Sequence, residues 1–144
     1  MTTRFDTILK IKKDTLNRVE RELVKINSAI SLKENEITLL KEQLSNMKAP
    51  NVSVYRELLA FKDSISVSLD EIMQEQNLLE MMYSSRIDIN KRYKAAMIEY
   101  EKINHLHLEE LKLKFDKLKK EEQKSIDEIG GILYHLRDNT RYKL

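Results

Sequence analysis

The sequence predicts an all-α protein, a long antiparallel two-helix coiled-coil hairpin with an overhanging carboxyl-terminal helix end. Three observations carry this: a seven-residue apolar repeat from Phe5 to Met47, a single proline at position 50, and a run free of glycine and proline from Ser53 to Ile129. With two glycines, one proline and 35% charged residues in 144, the chain has little material for turns and must spend its length on a few long elements.

The first helix is expected over about 4–48. Phe5, Leu9, Lys12, Leu16, Val19, Leu23, Ile26, Ile30, Lys33, Ile37, Leu40, Leu44 and Met47 alternate in steps of four and three, and eleven of the thirteen are apolar. A strict heptad keeps one narrow stripe facing a partner helix and implies left-handed supercoiling. Pro50 lacks an amide and restricts Ala49, so it should close this helix and leave a loop at about 49–52. Asn51 or Ser53 can then cap the next helix.

The second helix is expected over about 53–129, possible to extend to 136, with a frayed tail at 137–144. Its stripe reads Leu58, Phe61, Ile65, Leu69, Ile72, Leu79, Tyr83, Tyr93, Met97 and Tyr100, interrupted at Gln76, Arg86 and Asn90, with register slips after Ile65 and near Asn104. It resumes at Leu108, Leu111, Phe115, Leu118, Ile126, Ile129, Leu133 and Leu136, with a stutter around Glu122. Gly130-Gly131 should end or bend the helix. The whole chain 1–144 is read as one elongated domain.

A short connection at Pro50 favours an antiparallel hairpin. Charge agrees weakly, with ten basic and seven acidic residues in 1–50 against three and seven in 51–90. The first helix then pairs with residues 54–97, and 98–136 overhang. Each apolar side chain left exposed there gives up about 1.5–3 kcal/mol of burial, so another protein or a second copy should cover it.

Several function classes fall away. A net charge of +2 favours neither nucleic acid nor a membrane surface. No apolar run is long enough for a membrane span or a signal peptide, and cysteine is absent, which fits a reducing cytoplasm. His105 and His107 point to different sides of a helix and His135 is remote, so no metal site is expected. Neither a phosphate loop, a nucleophile elbow nor a paired-carboxylate pocket is present, so the chain reads as a protein-binding module without cofactor or catalysis.

Two features stay open. The mixed charges of Lys117, Lys119, Lys120, Glu121, Glu122 and Lys124 suit a solvated helix face or a docking site. Between Leu58 and Ile89, the additional apolar residues Leu59, Val67, Met73, Leu78, Met81, Met82, Ile87 and Ile89 suit an adaptable binding face, or a third helical piece of the same chain folded over it.

The order of short motifs resembles the FliJ family, the coiled-coil component of the bacterial flagellar type III export apparatus. Arg4-Phe5 followed by Leu9, Lys10 and Lys12-Lys13 is similar to the family's aromatic and basic start. A polar break precedes Ser53-Val54, and Glu121-Glu122-Gln123-Lys124-Ser125-Ile126-Asp127-Glu128-Ile129 is similar to its Glu-x-Lys-x-x-x-Asp-Glu segment, while Gly130-Gly131 departs from the pattern. The resemblance implies a shaft similar to that of the rotary ATP synthase gamma subunit, whose end enters a hexameric flagellar export ATPase and promotes its assembly. It also implies contacts with the cytoplasmic domain of the export gate and with export chaperones, at the cytoplasmic face of the inner membrane. Arg4, Phe5, Lys124, Asp127 and Glu128 are expected near the ATPase. Phe61, Ile65 and Leu69 are assigned to a second contact, the gate, from the surplus apolar face alone. The rival readings are a self-associating structural spacer or tether, and a secretion chaperone for an export substrate.

Overall fold

In a computed structural model, described for residues 2–50 and 54–141, two long helices pack together as an all-α hairpin: α1, Asp6–Ser45, and α2, Tyr55–Arg141. The described residues contain no strand. The expected caps at Asn51 and Ser53 and the last residues of the tail, 142–144, lie outside the described residues.

α1 starts because Thr3 organises the backbone ahead of it. The Phe5 amide donates to Thr3 Oγ1 at 3.2 Å and the Asp6 amide to the Thr3 carbonyl at 3.2 Å. Asp6 adds a negative charge where the helix dipole is positive. At the other end the Met47 amide reaches back to the Leu44 carbonyl at 3.2 Å, a tightened final turn ahead of Pro50. α2 opens with the Glu57 and Leu58 amides donating to the Val54 carbonyl, with Glu57 as the acid of its first turn.

α2 passes through Gly130 and Gly131 without interruption, where a stop or bend was expected. Neither glycine has positive φ, so neither adopts the left-handed conformation that closes a helix. Two glycines cost a helix only about 1 kcal/mol each relative to alanine, which need not end a helix of this length.

The structure divides into two compact units, one joining Met1–Lys13 to Glu99–Leu144 and the other formed by Asp14–Ile98. In the Asp14–Ile98 unit the core is a single file of seam residues: Leu16, Val19, Ile30, Ile37 and Ile72 are 2–6% exposed. The α1 stripe follows the sequence pattern from Phe5 to Leu44, each member buried or half-buried, and leaves it at Met47, which is 38% exposed.

On α2 the seam differs from expectation. Phe61, Ile65, Ser68, Ile72, Glu75, Leu79, Met82 and Arg86 are half-buried or buried, an unbroken alternation of four and three. Leu69 is 50% exposed, so the slip after Ile65 does not occur and Ser68 takes the seam position. Polar side chains hold seam positions by pairing: Lys33 Nζ lies 2.6 Å from Glu75 Oε2 and 3.1 Å from Glu36 Oε2. Further pairs are Arg92 with Glu22 at 2.6 Å, and the Tyr83 hydroxyl donating to Glu34.

The helix register also differs. In the unit containing the amino terminus, Thr3 Oγ1 meets His107 Nδ1 at 2.7 Å, Arg4 pairs with Glu110 at 3.5 Å and Lys114 Nζ donates to the Thr2 carbonyl at 2.7 Å. Residues 99–114, assigned above to the overhang, are therefore paired with the start of α1. A turn centred on Pro50 would set Lys33 opposite Val67, but Lys33 pairs with Glu75, so the seam contacts and not the connection set the register.

Candidate docking surface

The candidate surface is the distal part of α2, within the unit that contains both ends of the chain. Every residue from Lys112 to Arg137 is exposed. Phe115 is 60% exposed, Leu118 47%, Ile126 61%, Ile129 58% and Leu133 61%, although they form one stripe at helical spacing. A long charged helix of this kind stays formed because straight-chain residues lose little rotamer freedom in it and because of links such as Gln123 Nε2 to Asp127 Oδ1 at 3.2 Å. Several exposed apolar side chains on one face of a helix mark an interaction surface.

The predicted site residues do not all meet. Arg4 stacks over the Phe5 ring at 4.9 Å and lies at ion-pair distance from Glu110, so this aromatic and basic start is fastened to α2. Lys124, Asp127 and Glu128 are exposed beyond it, roughly four to five turns further along α2. Phe61 and Ile65 are half-buried on the seam line of the other unit, and Leu69 points away from it.

The sequence reading missed the clasp at the amino terminus. Thr3 is 8% exposed, and His107, with a 15% exposed side chain, also approaches Asp6 Oδ1 at 3.4 Å. Nearby, Lys12 pairs with Glu99 at 3.8 Å and Lys13 Nζ sits 4.9 Å over the Tyr100 ring. The Thr-x-x-Asp spacing at 3–6 was the available signal. His107 is thus engaged by a hydroxyl and a carboxylate, and His105 pairs with Glu109 at 3.0 Å. Among the described residues no cluster of three or more His, Cys, Asp or Glu is arranged to hold a metal ion.

The surplus apolar face of α2 is open. Val67 is 66% exposed, Met73 62%, Met81 67% and Ile87 56%, so no described segment of the chain folds over them as a third helical piece. Met82 and Ile89, counted with this face from the sequence, are half-buried instead. No described helix is long and apolar enough to cross a membrane.

The family model for the flagellar FliJ protein matches residues 1–139. The chain belongs to the FliJ family. Membership makes it a component of the flagellar export apparatus, in a family of structural components rather than known enzymes. No curated protein and no solved structure matches the chain. In FliJ terms the match spans both helices and the whole exposed stretch of α2.

Proposed function

We propose that this FliJ-family chain is a nonenzymatic stalk that binds the hexameric flagellar export ATPase and stimulates its turnover. The observation that carries the reading is the stretch from Lys112 to Arg137, a helix that keeps its apolar residues outside any fold of its own. Docking them into a ring recovers about 1.5–3 kcal/mol of burial per large side chain, enough for a handful to hold a complex. Lys124, Asp127 and Glu128 flank this stripe and supply charges that orient the helix in its socket. Arg4 and Phe5 have a supporting role in the proposal, because they fix the base from which the distal helix projects.

The second contact, with the cytoplasmic domain of the export gate, is proposed for the α2 face that includes Leu69, Val67 and Met73. Phe61 and Ile65 lie at the seam edge of that region. Methionines beside leucines let one face accept partners of different shape, which also suits escort of export chaperones. The chain then works in the cytoplasm, held at the inner membrane through the apparatus.

The test is the turnover of the export ATPase from the same organism with and without this chain. Stimulation by the wild type that weakens in Asp127→Ala/Glu128→Ala at unchanged helix content supports the reading. No binding and no change in turnover contradict it.

A further inference from the structure

The apolar stripe of distal α2 is symmetric about one residue. Leu111, Phe115, Leu118, Ile126, Ile129 and Leu133 stand eleven, seven and four residues before and after Glu122. The stutter at Glu122, where two steps of four follow one another, creates this symmetry. A stripe that reads the same in both directions suits an antiparallel pair of identical helices, because a two-fold axis through Glu122 sets Phe115 of one copy opposite Ile129 of the other, and Leu118 opposite Ile126.

Charge selects the same direction. Residues 112–120 carry five basic and one acidic side chain, and residues 121–128 carry four acidic and one basic. Antiparallel pairing lays the basic stretch of one copy toward the acidic stretch of the other, whereas parallel pairing lays like on like. Phe115, Leu118, Ile126, Ile129 and Leu133 are open, from Leu118 at 47% exposed to Ile126 and Leu133 at 61%, and Leu111 at the end of the stripe is half-buried.

We propose that a second copy of this chain occupies the stripe, in an antiparallel dimer whose two-fold axis passes through Glu122. The inference goes beyond the ATPase reading and makes the two associations competing uses of one surface. The two Glu122 carboxylates meet at the axis and oppose each other, so the dimer is weak and opens readily.

Sedimentation equilibrium of the full chain tests this. Glu122→Leu should tighten the dimer by about tenfold or more, since it replaces two facing charges with an apolar layer. Ile129→Asp should leave a monomer with unchanged helix content. The chain has no cysteine, so single cysteines report direction cleanly. Under mild oxidation Glu122→Cys should form a disulfide dimer. Leu118→Cys should do so only when mixed with Ile126→Cys. A Glu122→Leu chain that stays monomeric at about 100 μM overturns the proposal, as does a Leu118→Cys chain that cross-links to itself as fast as Glu122→Cys. The outcome is independent of the ATPase assay, because neither readout contains that enzyme.

Discussion

Lys33 on α1 and Glu75 on α2 meet at 2.6 Å inside the apolar seam, with side chains 21% and 25% exposed. A charged layer in such a seam gains little stability but permits only one alignment of the helices, because any slip leaves both charges facing apolar neighbours. Replacing both with leucine should raise the melting temperature by several degrees while relaxing register. Circular dichroism melts give the first, and disulfide trapping between cysteines placed on α1 and α2 within residues 14–98 gives the second. A double variant with a lower melting temperature would contradict this.

The same pair gives an alkaline pH dependence. Hydrogen bonds from Lys33 to Glu75 and then to Glu36 raise the Lys33 pKa above 10.5, and the hydrogen bond to Glu34 raises that of Tyr83 above 10.0. Both groups hold their protons more tightly when folded, so their contribution is complete below the unfolded pKa values and is lost as pH rises through the folded ones. Melting temperature should fall above about pH 10 in the wild type, and less steeply in Lys33→Leu/Tyr83→Phe. Equal slopes would remove these residues as the cause.

Ile30 is 2% exposed, and Leu113 is 70% exposed. Ile30→Ala should cost about 2–5 kcal/mol, toward the lower end because a two-helix seam can close partly over the gap. Leu113→Ala should stay within about 0.5 kcal/mol. Urea unfolding with an unchanged m-value measures both.

A Cβ added at Gly130 or Gly131 meets no atom within 4 Å, and neither glycine has positive φ. Gly130→Ala and Gly131→Ala should each stabilise the distal helix by about 0.5–1 kcal/mol. Slower amide exchange around residues 126–136 is the expected sign. Faster exchange would mean that the glycines close the helix after all.

These cases show what was legible in the sequence. The α1 seam could be read because Leu16, Val19, Ile30 and Ile37 leave one phase for the repeat. The α2 seam was legible in part: Phe61, Ile65, Ile72 and Leu79 lie on it as expected, but Ser68 and Glu75 hold seam positions in place of Leu69 and Gln76. Hydrophobicity alone follows the wrong neighbours there, and only packing against α1 selects the phase. The register was hidden because the residues that fix it, such as Lys33 and Glu75, are distant in sequence. Around the candidate site the exposed stripe was legible as a pattern, whereas the Thr3–His107 clasp depends on two residues distant in sequence.

Hydrogen exchange of the full chain, alone and with the export ATPase, tests the central claim most directly. The account predicts new protection concentrated between Phe115 and Leu133, with amides of the Asp14–Ile98 unit unchanged. Protection falling on that unit instead, with the distal helix exchanging as freely as before, would contradict a docking shaft.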